Sequence, residues 1–385
     1  MQVGIGSSEE ADAHTAGQSA ARTAVTSLNG ESVALVLVYA SVRYPLPELL
    51  AGVRAVTGAA PLAGASSCGQ FHQGEIIQPG SGVVVVALTA GDYRFGVACV
   101  DGLAADAAAA GQQLVRAARE DAGPDLPQYG TLLLFSDGLA AADQQALLSG
   151  VYRVTGASVP VVGGGASDDR KLAHTFVLYH GEAHQDAAVG VWIAAPRPLK
   201  VVSAHGWQSN GLPMLVTRVE GRQVLEIGGR PAIDVFREHF RDQPPNNNVE
   251  WPVDYYSAHA FGLVDPDGTQ VVRGAYVDEA GALNTFAPLP QFSAVQVVSC
   301  NPDHLLRISD EIIEQAIADT KPSVILTFSC VGRLDILGDR AGEEAKRLQA
   351  AAGDIPTVGF FTYGEFARMT SVAGYHNATV TALAL

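Results

Sequence analysis

Residues 323–366 open on Ser323-Val324-Ile325-Leu326-Thr327-Phe328-Ser329-Cys330-Val331-Gly332-Arg333 and close on Pro356-Thr357-Val358-Gly359-Phe360-Phe361-Thr362-Tyr363-Gly364-Glu365-Phe366. Between these ends lies an Ala/Glu/Lys/Arg-rich segment of helix length. The two short apolar runs carry no polar alternation, as expected of strands covered on both faces. The whole predicts strand–helix–strand, the unit of a layered α/β fold.

The same plan occurs twice earlier. Val33-Ala34-Leu35-Val36-Leu37-Val38-Tyr39 breaks at Ser41-Val42-Arg43 and reaches Pro61-Leu62-Ala63-Gly64, and Thr131-Leu132-Leu133-Leu134-Phe135 breaks at Ser136-Asp137-Gly138 and reaches Pro160-Val161-Val162-Gly163. The proline follows the strand start by 28 (33 to 61), 29 (131 to 160) and 33 (323 to 356) residues. One supersecondary unit, used three times, explains this spacing and the shared Pro-x-x-Gly. The expected fold is therefore mixed α/β: layered sheets with flanking helices, two units in the N-terminal half and a related third in the C-terminal half.

Working outward, residues 8–28 and 104–121 predict helices, and Asn301-Pro302-Asp303 opens a third with a capping Asn and proline at its first position. Residues 83–88 with 93–100, and 175–179 with 187–194, read as strand pairs; 65–75 reads as a small polar loop. Beyond Pro196-Arg197-Pro198 come meander strands, including 259–264, 270–276 and 294–299, with loops at 243–248 and at Pro266-Asp267-Gly268. Residues 375–385 form a last strand. Two domains follow, 1–200 and 201–385.

The 385 residues, 48% of them apolar, suffice for a large core, and 24 basic against 40 acidic residues give a formal charge of −16. That field repels nucleic acid and anionic membranes. Cys68, Cys99, Cys300 and Cys330 form no Cys-x-x-Cys pair, so neither a zinc ribbon nor a redox dithiol is indicated. With no leader-like or membrane-length apolar run, the expected location is the cytoplasm.

In an α/β fold ligands gather where strands end. Arg333 and Arg43 each follow a strand, where a guanidinium holds a carboxylate or forms a surface ion pair. Glu365, Asp168 and Asp169 follow their prolines at similar distance; Glu365 suits an ammonium group, the aspartates turn chemistry. Gly163-Gly164-Gly165 lacks the spacing of a phosphate loop and reads as a tight turn with positive φ. His180 and His184 straddle Gly181, so a helical metal pair is not expected there. No Gly-x-Ser-x-Gly surrounds Ser329, and no base can be assigned to Ser329 or Cys330, so a binding protein is expected rather than an enzyme. An unrecognised hydrolase or redox enzyme would need such a base.

These features resemble the FIST family of sensory proteins. The resemblance rests on Phe328-Ser329-Cys330 with Arg333, on residues 356–365, and on His376-Asn377-Ala378-Thr379; in the N-terminal half it rests on 61–69, Gly74-Glu75-Ile76 and 163–169. Gly74-Glu75 stands a few residues later after its turn than the family pattern. The resemblance implies a small-molecule sensor, and the strand-end reading places Arg333, Glu365, Ser329, Cys330, Tyr363 and Arg43 at its ligand. The resemblance also implies haem-based nitric oxide sensing and control of a separate histidine kinase or a cyclic-di-GMP enzyme (diguanylate cyclase or phosphodiesterase). A haem iron needs one axial imidazole in an apolar pocket. His259, with Tyr255, Tyr256 and Phe261 nearby, suits this first, His72 second and His376 third. An amino-acid sensor without haem is the alternative, with Arg333 on the carboxylate and Glu365 on the ammonium.

Overall fold

The apolar runs become three sheets of one design. The computed structural model describes residues 1–156, 158–239, 254–264, 270–368 and 374–385. Unit one comprises β1 (Val3–Ser8), α1 (Ala13–Thr26), β2 (Leu35–Ser41), α2 (Leu46–Thr57), β3 (Leu62–Ser67), the hairpin β4 (Gln70–His72) and β5 (Glu75–Ile77), and β6 (Val83–Leu88). Unit two repeats the order with β7 (Arg94–Asp101), α3 (Leu103–Asp121), β8 (Tyr129–Ser136), α4 (Gln144–Thr155), β9 (Val161–Gly165), the hairpin β10 (Val177–Tyr179) and β11 (Glu182–His184), and β12 (Ala187–Ala195).

Unit three starts at β13 (Lys200–Ala204) and is then interrupted by an insertion: β14 (Gln208–Glu220), β15 (Gln223–Ile227), β16 (Arg230–Pro231), α5 (Ala232–Arg237), β17 (Asp254–Val264), β18 (Gln270–Val277), β19 (Leu283–Thr285) and β20 (Ala294–Ser299). The plan resumes with α6 (Pro302–Ile317), β21 (Ile325–Cys330), α7 (Val331–Leu337), α8 (Ala341–Ala352), β22 (Thr357–Thr362), the hairpin β23 (Glu365–Arg368) and β24 (Tyr375–His376), and β25 (Val380–Ala384). The inserted strands form an antiparallel seven-stranded sheet, ordered β14-β20-β17-β18-β19-β15-β16, with its own core around Phe236, Phe261 and Val297.

Sheet orders expose a cyclic exchange. Sheet one runs β1-β6-β2-β3-β10-β11, sheet two β7-β12-β8-β9-β23-β24, and sheet three β13-β25-β21-β22-β4-β5. Each unit therefore donates its hairpin to a neighbour: one to three, two to one, three to two. In each of these three sheets the central pair is parallel and joined through a helix, as that geometry requires.

Side chains alternate along these strands between two buried faces. Leu35, Leu37 and Tyr39 of β2, Leu133 and Phe135 of β8, and Leu326 and Phe328 of β21 enter one central core. Their neighbours Val36, Val38, Leu132, Leu134 and Ile325 face the helices. Tyr39, Phe135 and Phe328 stand opposite Ala65, Gly164 and Phe360, each four residues past the unit's proline. At the centre Phe360 fills the space left by the smaller two: it stacks on Tyr39 at 4.6 Å and meets Phe135 and Phe328 at 6.2 and 5.8 Å between centroids. Rings in such geometry add about 0.5–1.5 kcal/mol beyond their burial.

Paired helices cover each sheet outside. α1 and α2 cross where a Cβ on Gly17 would lie 2.2 Å from the Leu49 carbonyl oxygen, and α3 and α4 cross where one on Gly150 would lie 2.0 Å from that of Ala108. Only glycine permits that approach. In unit three α6 and α8 meet instead through Ser309 and Glu344.

Several expectations need correction. The first helix starts at Ala13, capped by Asp12 rather than Ser8, because Ser8 ends a strand absent from the sequence reading. Residues 65–75 are not a loop with little to bury: Phe71 packs edge-on against Phe361, and β4 and β5 complete sheet three. Gly163-Gly164-Gly165 lies in β9; Gly163 does take φ 144°, but a strand closely approached by Leu134 is the reason, not a turn. The break at Val331-Gly332-Arg333 begins α7. The last strand is split into β24 and β25. Position 200 falls at the start of β13, and sheets two and three each combine strands from both sides of it. The expected loops at 243–248 and 266–268, and the Tyr255 side chain, lie outside the described residues.

Candidate functional site

The carboxyl ends of the three parallel strand pairs meet at one place and bond across units. The Ser167 hydroxyl donates to the Phe361 carbonyl at 2.6 Å and accepts from the Cys68 amide at 2.7 Å, so one side chain of unit two ties units one and three. Tyr363 Oη donates to Asp168 Oδ1 at 2.7 Å. Asp168 also accepts from the amides of Leu172, Ala173 and His174 at 2.9, 2.6 and 2.9 Å. Asp169 accepts from the Ser41 hydroxyl at 2.6 Å, and burial raises its pKa. The aspartate pair thus organises the turn, with a cross-unit role that spacing did not show.

Glu365 is fully buried where the donated β23 meets β9. It accepts from the hydroxyls of Thr362 and Thr379, both at 2.6 Å, and from the Thr379 amide at 3.2 Å. Burial raises its pKa to about 7, and those donors, with the Cys330 thiol, offset only part of that. Cys330, buried beside this carboxyl, is pushed well above its ordinary value by burial and then by the Glu365 charge. A thiol held protonated in this way makes a poor nucleophile.

Arg333 is not on that side. Strand alternation puts Cys330 toward Glu365, while Ser329 faces the helices. There Arg333, wholly buried, donates from Nε and Nη2 to Glu344 Oε1 at 2.9 and 2.5 Å, from Nη2 to the Leu305 carbonyl at 3.1 Å and to Ser309 Oγ at 3.1 Å. Among the described residues only Nη1 is left without a partner. The guanidinium expected on a ligand carboxylate is engaged by Glu344, and the sheet separates it from Glu365. Arg43 is exposed over the Tyr44 ring at 5.6 Å. The sequence-derived set is therefore split: Glu365, Cys330 and Tyr363 at the strand tips, Ser329 and Arg333 behind them, Arg43 outside.

Cavities among the described residues include two away from these side chains. The larger, about 570 Å³, is an open depression on the outer surface between Arg116, Arg119 and Gln128. The smaller, about 160 Å³, lies between the start of α4 and the inserted sheet, lined by Asp143, Gln144, Arg222, Phe286, Pro288 and Tyr375 among others. We place the candidate site there, since its chemistry reaches the strand tips: Tyr375 Oη donates to the Tyr363 carbonyl at 3.2 Å. Gln144 Nε2 donates to the Asp137 carbonyl at 3.1 Å, while its buried Oε1 has no donor among the described residues. Arg222 is exposed and makes no ion pair among the described residues. Neither Arg222 nor Gln144 has a sequence signal, because one follows an ordinary turn glycine and the other reads as a routine helix start.

Haem does not fit the three candidate histidines. Neither cavity is lined by a histidine. His259, opposite Ser299 in the middle of the inserted sheet, is 6% exposed, and burial lowers its pKa to about 4. His72 lies on β4 against β22, and burial lowers its pKa too. His376 Nε2 is 2.9 Å from the Ala367 carbonyl. Drug-sized ligands occupy roughly 300–1,000 Å³, and the cleft beside Tyr375 is smaller than that.

Comparison with known proteins covers most of the chain. The FIST N domain model matches residues 34–230 and the FIST C domain model residues 232–368. An uncharacterized protein of Mycobacterium tuberculosis is 28% identical over 236 residues, 57% of this chain and 57% of its own length. One from Methanocaldococcus jannaschii is 25% identical over 123 residues, 30% of this chain and 24% of its own. The match thus spans well under two thirds of either relative. A chorismatase crystal structure aligns over 100% of both chains at 11% identity and TM-score 0.34, a likeness too low to support any statement about chemistry. No helix among the described residues is long and apolar enough to cross a membrane.

Proposed function

Because the chain belongs to the FIST family, matched in both its N and C domains, we propose that it is a non-enzymatic sensory protein. Its ligand on this reading is a small zwitterion of the amino-acid class, held in the cleft between α4 and the inserted sheet. The observation that carries the reading is the pairing, in one cleft, of a guanidinium without an ion pair and a buried acceptor without a donor among the described residues: Arg222 and Gln144 Oε1. Arg222 takes the carboxylate. Gln144 Oε1, with Asp143 beside it, takes the ammonium. Phe286 and Pro288 offer an apolar wall. The volume of about 160 Å³ equals that of about five liquid waters, which suits a ligand of few heavy atoms.

The amino-acid reading therefore keeps its chemistry and changes its residues, from Arg333 and Glu365 to Arg222 and Gln144. Tyr375 supplies the route outward. A ligand that favours one position of its ring shifts the populations of the Tyr363–Asp168 network, which joins the units. A separate histidine kinase or cyclic-di-GMP enzyme is the proposed reader of that shift.

Thermal-shift and calorimetric titration with the common L-amino acids test the proposal. At least one should raise the melting temperature in a saturable way. Arg222→Ala should weaken its binding roughly ten- to a hundredfold, the value of a hydrogen bond to a charged group of about 1.5–3 kcal/mol. A shift unchanged by Arg222→Ala, or none from any amino acid, overturns the assignment.

A further inference from the structure

We propose that Cys99, Asp101 and His184 form a binding site for a divalent ion of the zinc class, where the edges of sheets one and two meet. Cys99 and Asp101 lie two apart on β7, the edge strand of sheet two, so they project from the same face. Glu182 and His184 bear the same relation on β11, the edge of sheet one. One candidate ligand atom from each of Cys99, Asp101 and His184 lies within 4.8 Å of the other two. Among the described residues no other group of three such side chains is as close.

His184 stands between two carboxylates. His184 Nδ1 stands 3.4 Å from Asp101 Oδ1, and Nε2 stands 3.5 Å from Glu182 Oε2. Nε2 is nevertheless buried without a hydrogen-bond partner among the described residues. A sulfur, an imidazole nitrogen and one or two carboxylate oxygens make a borderline-soft donor set, which suits four-coordinate zinc better than magnesium or calcium. Burial, then the charges of Asp101 and Glu182, push the Cys99 thiol up to about 12. A bound dication reverses that balance, since it attracts both carboxylates and holds the sulfur as thiolate, with release of its proton to solvent. Glu182 is the nearest fourth donor; a water is the other. Because β11 is contributed by unit two to sheet one, the ion would clip a donated hairpin in place. The alternative, that these charges only discourage strand addition at exposed edges, requires neither the thiol nor the imidazole.

Cobalt(II) is the probe. Titrated into the metal-free full chain, it should bind at one equivalent and give a thiolate-to-cobalt charge-transfer band with visible bands of a four-coordinate ion. Excess zinc should bleach both. Cys99→Ser should abolish the charge-transfer band, and His184→Ala and Asp101→Asn should each weaken binding at least tenfold. Asp101 is exposed, so its variant keeps the test open even if another fails to fold. No charge-transfer band with the native chain, or one that persists in Cys99→Ser, overturns the site.

Discussion

Glu344→Ala should lower the unfolding free energy by about 3–5 kcal/mol, the cost of leaving one member of a buried ion pair uncompensated. Glu344 and Arg333 are both fully buried, and Arg333 then keeps only the Ser329 and Ser309 hydroxyls and the Leu305 carbonyl. Arg333→Ala should cost a similar amount. The double replacement Arg333→Met with Glu344→Leu should cost much less than the sum, because apolar groups of similar volume remove both charges together. Urea unfolding of the four proteins measures this directly. If Arg333→Ala left stability intact and weakened only ligand binding, the guanidinium would serve the ligand that its place after β21 suggests, and Glu344 would be incidental.

The second large effect depends on pH. An ordinary glutamate releases its proton near 4.5, and Glu365 in the folded chain near 7. Between those values the folded state holds more protons than the unfolded state, so stability falls as pH rises. Below about 4.5 both forms are protonated and nothing is lost. Above about 7 the loss is complete, and the gap corresponds to about 3 kcal/mol. Glu365→Gln keeps the shape and removes the charge. The variant should match the native chain near pH 4 and exceed it by up to about 3 kcal/mol at pH 8, as read by denaturant unfolding. His259 and His376, whose pKa values burial lowers to about 4, titrate in both proteins, so the difference isolates Glu365. Parallel pH profiles for the two proteins would show that Glu365 ionises at its ordinary value.

Much of this architecture is legible in the chain. The apolar runs at 33–39, 131–135 and 324–328 hold the central strands because a strand buried on both faces needs no alternation. The recurring Pro-x-x-Gly marks the entry to β3, β9 and β22, where Gly64, Gly163 and Gly359 lie too close to Val38, Leu134 and Thr327 for any side chain. What stayed hidden is long-range. β4 and β5 have three residues each, and β22, the strand that β4 pairs with, is nearly 300 positions away. So short a segment has no periodicity to betray it. Glu344 follows Glu343 in a charged helix, and only the turn that points one inward separates a buried partner of Arg333 from a surface acid paired with Arg340. Glu365 was legible as a special residue, but its setting was not, since that depends on which sheet receives β23.

Native-state hydrogen exchange tests most directly whether the three units form one body through their exchanged hairpins. The decisive amides bond across units: Gln73 to the Thr357 carbonyl at 2.7 Å, Phe361 to Gly69 at 3.1 Å, and Tyr363 to Gly165 at 3.1 Å. They should open only with the central strands β2, β8 and β21, at one common free energy. Cross-unit amides that exchange far faster than those of β21, or a third unit that opens while the first two stay protected, would contradict the exchange.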